Sequence, residues 1–402
     1  MNRSRFLVLG GLCLPALAAC SSSPFARVLS TAHEDDDRVF VLLNLDGGND
    51  GLNTIVPYAA DSYYRLRPTL AIPARGVLRI DERIGFNPVM RSFKEMYDEG
   101  SAAIVQGAGY PRPDRSHFRS TEIWQTAAPE RYESTGWLGR YLDGANLPQS
   151  NVFNAVAVSQ ILPEALIARK VDVPAIRQTR GYALASDRSP AVRRAFGSFG
   201  GEGAAFDSPY LSWVSEIERN ARRGSELLPE LLAWYQVEVT YPQGALGHSL
   251  ALAAQMIASP KLGVRVIYLE HGSFDTHAGQ KATHDQLLGE LSDGLRAFYR
   301  DLASRGNDKR ALTMIFSEFG RRVAENASLG TDHGAAAPMF LLGGSVRGGV
   351  YGAHPSLEDL DDGDLKYTVD FRNVYATVAE KWFNCSPKAL LGGEFPTMPL
   401  LE

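Results

Sequence analysis

Val39-Phe40-Val41-Leu42-Leu43-Asn44-Leu45 runs directly into Asp46-Gly47-Gly48-Asn49-Asp50. A short, almost wholly apolar run that ends in an acid and two glycines reads as a buried strand delivering a carboxylate to a loop. The same grammar recurs along the chain. Val264–Leu269 leads to Phe274-Asp275-Thr276-His277, and Ala311–Phe316 leads to Ser317-Glu318-Phe319-Gly320. Thr331-Asp332-His333-Gly334 stands just before the apolar run 338–342. Further strands are expected at 102–107 and 153–158. Helices are expected at 87–98, 116–127, 135–143, 208–236, 245–258, 278–304 and 371–383. Strand-like and helix-like segments alternate, and the strands lack polar alternation. The expected fold is therefore α/β, a mainly parallel sheet flanked by helices on both faces. Leu287, Leu288, Leu291, Leu295, Phe298 and Leu302 recur at helical spacing and predict the packed stripe of one covering helix. Residues 160–245 lack clear strands and carry a glycine-rich stretch from Gly197 to Gly203. A helical elaboration over about 160–258 of one domain, 38–402, is the simplest organisation.

Arg3 and Arg5 precede Phe6-Leu7-Val8-Leu9, and the segment ends Leu17-Ala18-Ala19-Cys20. That is the layout of a signal peptide over residues 1–20, too short and too interrupted to span a bilayer. Leu-Ala-Ala-Cys also resembles the bacterial lipobox, which would make Cys20 the lipidated first residue of an envelope protein. Ser21 after it suits sorting to an outer membrane; Sec and twin-arginine export both stay open. Residues 21–37, polar and acidic, read as a tether. After processing, Cys20 and Cys385 remain, so no disulfide framework supports the fold. The net charge of −5 carries no basic footprint and argues against nucleic acid as a partner.

In an open α/β sheet ligands bind beyond the carboxyl ends of the strands, and acids and imidazoles gathered there suit a divalent metal such as Zn, Ca, Mg or Mn. Asp46, Asp275, His277, Glu318, Asp332 and His333 are the candidate ligands. Each has a plainer reading as a turn residue or loop ion pair, Glu318 with Arg321 or Arg322 in particular. Asp114-Arg115-Ser116-His117-Phe118 stands where a helix begins. Ser116 there is a helix cap or, with a metal or base nearby, a nucleophile. Arg115, Arg112 and Arg321 are candidates to hold an anionic substrate.

LNLDGGNDGLNTIVPY, YYRLRPTLAIP, RSHFRSTEIWQT, TGWLGRYLD, SFDTHAGQ, SEFGR, GTDHG and DFRNVYATVAEKW together resemble an exported bacterial family, domain-of-unknown-function family 1501. That family is usually placed in the alkaline phosphatase and sulfatase superfamily. The resemblance implies an alkaline phosphatase-like domain and a metal-dependent hydrolase of a phosphate or sulfate ester, with Ser116 as nucleophile. It also implies metal ligands Asp46, Asp275, His277 and His333. The chain departs from the superfamily pattern at three points. Glu318 is followed by Phe319 rather than His, one residue rather than three separates Asp275 from His277, and no Cys stands at the nucleophile position. A metal-stabilised binding or assembly protein on the same scaffold is the alternative, and a hydrolase of uncharged esters or amides a weaker third. The expected partners are an anionic small-molecule or polymeric ester and, through the lipid, a membrane.

Overall fold

In the computed structural model, which describes residues 37–148, 151–176, 189–192, 194 and 206–402, strand β1 (Val39–Leu45) occupies the middle of the main sheet. It is flanked by β4 (Val266–His271) and β5 (Ala311–Phe316), both parallel to it. Every residue of β1 is buried, and the two faces diverge by the period-two rule. Val39, Val41, Leu43 and Leu45 join one core, with α1 (Arg91–Asp98), α5 (Ala245–Ala258) and α6 (Gln280–Ser304). Phe40 and Leu42 join the other, with α2 (His117–Thr126), α3 (Trp137–Gly144) and α7 (Phe371–Thr377). Two covered faces explain why an unbroken apolar run, rather than an alternating one, encodes this strand.

Among the described residues the sheet has eight strands. Its order is β7 (Gly349–Tyr351), β2 (Ala102–Gly109), β6 (Ala337–Leu342), β5, β1, β4 and β3 (Ala155–Val158). A short β8 (Val369–Asp370) also pairs with β2. One departure from the expected pattern matters for function: β6 runs antiparallel to both β2 and β5. A strand buried on both faces looks the same in either direction, so its apolar run carried no sign of this. The reversal brings the start of β6 to the edge where the other strands end.

All six residues of the predicted stripe on α6 are buried, as its spacing required. Helix α4 (Pro209–Leu232) lies within the expected helical elaboration, whereas α5, at its far end, is a covering helix of the sheet. Helix α7 continues as a π-helical turn, Val378–Trp382. A small antiparallel sheet of 55–56, 85–86 and 78–79 lies beside the main one. No helix among the described residues is long and apolar enough to cross a membrane. Cys20 with its signal segment, the tether up to residue 36, and Gly197–Gly203 lie outside the described residues.

Candidate metal centre

The loop after β1 is pressed against the loop after β4. Asp46 donates its N–H to the His271 carbonyl at 3.0 Å, and its own carbonyl accepts from Phe274 at 3.1 Å. Gly47 is required here: its φ is +111°, and a Cβ would lie 2.5 Å from the Asp275 nitrogen. This contact sets Asp275 at the sheet edge. Burial raises the Asp46 carboxyl above its ordinary range, and the neighbouring Glu318 raises it further.

Three histidines converge on Asp275. His277 Nε2 is 3.0 Å and His333 Nε2 3.2 Å from Asp275 Oδ1, and the two Nε2 atoms are 2.9 Å apart. His117 Nε2 lies 3.6 Å from the other oxygen, Oδ2. His117, Asp275 and His333 offer ligand atoms that all lie within 4.8 Å of one another. Each ring's opposite nitrogen faces an acceptor. Nδ1 of His277 donates to Asp332 at 3.0 Å, that of His333 to the Arg115 carbonyl at 2.8 Å, and that of His117 to Glu318 at 2.7 Å. Those acceptors assign the proton to Nδ1 and leave the Nε2 lone pair pointing inward in all three rings. Two inward lone pairs and a carboxylate oxygen within about 3 Å of one another repel unless a cation lies among them. A histidine held at its far nitrogen by a carboxylate or carbonyl is the usual setting of a metal ligand. The donor set therefore fits a divalent ion.

Charge is arranged to match. Burial works to raise the Asp275 carboxyl, but the hydrogen bond and positive charge of Arg321 outweigh it and hold the group at about 2. The hydrogen bond to Glu318 raises the His117 imidazole, with burial opposing. Glu318 is 0% exposed and is fixed by the Gly47 N–H at 2.9 Å and the Ser317 hydroxyl at 3.2 Å.

A sequence profile described as "protein of unknown function (DUF1501)" matches residues 101–385. The chain belongs to that family. No curated protein matches it in sequence. In three dimensions this DUF1501 chain is similar to Ps i-CgsB in complex with k-i-k-neocarrahexaose (13% identity, 89% of this chain and 72% of that one, TM-score 0.38). It is also similar to the zinc complex of the C-terminal periplasmic domain of EcEptC from Escherichia coli (10%, 77% and 73%, 0.36). A third is a protein in the alkaline phosphatase superfamily from Vibrio parahaemolyticus (8%, 79% and 63%, 0.37).

Of the residues the DUF1501 sequence suggested, Asp275, His277 and His333 meet directly. Asp332 stands behind His277 and Glu318 behind His117, each turned to a ring nitrogen that faces away from the cluster. Arg321, expected to hold a substrate anion, is 1% exposed. Its guanidinium donates to the carbonyls of Gly47, Gly48, Phe274 and Thr331 and to Asp275 at 2.7 Å, which makes it the clamp behind the cluster. Arg115 is turned onto Asp364 at 2.6 Å and Asp362 at 3.2 Å; its carbonyl, not its charge, serves the centre. Ser116 is exposed, makes no side-chain cap bond to α2, and gives its backbone N–H to Asp114 at 2.8 Å.

His117, not among the residues expected from sequence, also borders the cluster. It stands beside Ser116 in the motif Asp114-Arg115-Ser116-His117-Phe118. The available signal was an imidazole at the first residue of α2, beyond the carboxyl end of β2.

Proposed function

We propose that the protein is a metal-dependent hydrolase of phosphate or sulfate esters, exported and anchored in the cell envelope through Cys20. The observation that carries the hydrolase reading is the crowding of the His277 and His333 Nε2 atoms on Asp275 Oδ1, at 3.0 and 3.2 Å, with every Nδ1 directed outward. Asp275, His277 and His333 would hold the ion. Bound there, a divalent ion would supply Lewis-acid polarisation of a phosphoryl or sulfuryl oxygen. The chain's own groups orient that site. Arg321 fixes the Asp275 carboxylate, Asp332 sets the tautomer of His277, and the Arg115 carbonyl sets that of His333.

Phe319 packs against both His117 and His333, with ring centroids 4.9 and 4.7 Å apart, and also lines an open cleft of about 940 Å³. That cleft gives the organic part of an ester somewhere to lie. Arg112, on its wall, forms no ion pair among the described residues and is suited to an anionic substrate. The test is elemental analysis of the purified protein with a panel of phosphate and sulfate esters. About one divalent ion per chain, lost in His333→Ala, and hydrolysis of at least one ester are expected. Protein without a stoichiometric ion overturns the reading.

The exposed Ser116, whose side chain makes no cap bond to α2, favours a second reading, a metal-stabilised binding protein. Stoichiometric metal with no hydrolysis across the panel would select it.

A further inference from the structure

We propose that Asp364 is a positioning residue of this centre: through Arg115 it fixes the backbone carbonyl that keeps His333 turned for ligation. The inference rests on the metal-dependent reading above and adds the element that holds one of its ligands in place. That element is a hairpin, in which Leu360–Asp361 pairs antiparallel with Asp364–Leu365. Asp362 and Gly363, the two residues between, have φ of +51° and +86°. A two-residue hairpin loop with both central residues at positive φ calls for a pair such as Asp-Gly. The tight turn fixes two carboxylates, Asp362 at its tip and Asp364 on the returning strand.

These two acids meet two arginines. Arg115 donates from Nε to Asp364 Oδ2 at 2.8 Å, and its Nη2 lies 2.6 Å from the same oxygen. Arg322 Nε lies 3.7 Å from Asp364 Oδ1. Asp362 Oδ2 stands 3.2 Å from Nη2 of both arginines. The acids are not equivalent, because the Asp364 side chain is 3% exposed and that of Asp362 78%. A charge-assisted bond to a carboxylate held out of water is among the stronger contacts, whereas a pair at an exposed one contributes little. Asp364 is therefore the anchor of the two.

Both arginines pass the restraint on through their backbones. The Arg115 carbonyl accepts from His333 Nδ1 at 2.8 Å. Arg322 gives its N–H to the Asp332 carbonyl at 2.9 Å, and the Asp332 carboxylate holds His277. One hairpin thus supports His333 through a single residue and His277 at one further remove. If Arg115 loses its buried partner, its carbonyl is free to leave hydrogen-bond range of His333 Nδ1. The imidazole then samples the tautomer with its proton on Nε2, which has no lone pair to give an ion there.

The experiment uses the full chain with histidine labelled by ¹⁵N, and NMR of the metal-free protein reads the tautomers. His333 is identified by the signal missing in His333→Ala. In the native chain it should carry its proton on Nδ1. In Asp364→Asn it should become a mixture, with buried His284 at its native signal as evidence that the fold is intact. Chelator competition with Zn²⁺ should then show a loss of affinity of about tenfold or more. Asp362→Asn, at the exposed partner, should stay within about twofold of wild type. Arg115→Ala should reproduce the loss, and also serves where Asp364→Asn fails to fold. The double variant should lose no more than either single one, because both cut the same link. A native His333 tautomer with wild-type affinity in Asp364→Asn, an equal loss in Asp362→Asn, or additive losses in the double variant each overturns the proposal and leaves the metal-dependent reading standing. Protein that binds no divalent ion overturns both.

Discussion

The Asp332 carboxylate bears on the candidate metal centre through His277, so Asp332→Ala tests what an orienting carboxylate contributes. In the native structure Asp332 Oδ1 accepts from His277 Nδ1 and from Asn326 Nδ2, each at 3.0 Å. Both hydrogen bonds hold the Asp332 carboxyl below its ordinary range, the Asn326 bond most. Without the acceptor, the His277 ring is free to flip and to change tautomer. Four states of similar energy replace one, and selecting the ligating state costs roughly RT ln 4, about 0.8 kcal/mol. Loss of the charge-assisted hydrogen bond, which polarises the imidazole, adds roughly another 1 kcal/mol. The sum, near 2 kcal/mol, falls within the 10–100-fold loss of metal affinity typical of removing such a partner. Competition titration against a chromophoric chelator at neutral pH reads this directly. The Asp332 side chain is 54% exposed, so the fold should hardly register the change, and the melting temperature of the metal-free protein serves as control. Unchanged affinity in Asp332→Ala would refute the assignment of His277 as a ligand. So would an equal loss on replacing the distant, exposed Glu394.

Buried His284 donates from Nε2 to Asn49 at 3.0 Å, and burial presses its pKa down to about 4, with Asp50 partly opposing. Between that value and the ordinary 6.5 the unfolded chain binds the extra proton, so stability falls as pH drops through this window, by about 3 kcal/mol in all. His284→Gln should flatten that part of a stability-versus-pH curve measured by denaturant unfolding; an unchanged slope contradicts the burial argument. The Asp50 carboxyl is held low by Arg67 despite its burial, so its loss of stability begins only below 3.8 and does not overlap. Gly47→Ala forces a non-glycine residue to φ +111° against the Asp275 backbone and should lower stability by about 1–3 kcal/mol or more, together with ion affinity, read by melting and by chelator competition. Wild-type values for both would show that the loop does not need this approach. Cys20→Ser should move the protein from the membrane pellet to the soluble envelope fraction, and unchanged partitioning rejects the lipid anchor.

The sheet was legible because its strands are buried on both faces. Val39–Leu45, Ala311–Phe316 and the stripe along α6 needed only hydrophobic run length and helical period to be placed. The edge strands Gly349–Tyr351 and Val369–Asp370 carry too few apolar residues for that signal. Direction was the harder quantity. Nothing in Ala337–Leu342 distinguishes an antiparallel strand from a parallel one, because both bury the same side chains. The acidic and histidine-rich strand ends hinted at the reversal. A histidine that precedes a strand reaches the carboxyl edge of a parallel sheet only if that strand runs backwards, and His333 does so.

Within the site, sequence identified which residues gather but not which atom each presents. Asp275 and Asp332 are both acids beside a histidine in short loops, yet one lies among the inward Nε2 atoms and the other behind His277. Arg321 looked like an anion holder because it follows Glu318 in a polar motif. It is instead the buried cation that keeps a half-exposed carboxylate ionised and fixed, through four carbonyls and one salt bridge. The same division applies at the start of α2. Ser116 and His117 are adjacent, yet Ser116 is exposed and extended just ahead of α2, whereas the His117 imidazole faces Glu318 and Asp275. Glu318 holds the imidazole there, accepting from both the Gly47 N–H and His117 Nδ1. Glu318 thus ties the loop after β1 to the start of α2 across the end of β5, and the geometry of the cluster depends on a buried carboxylate that stands behind it.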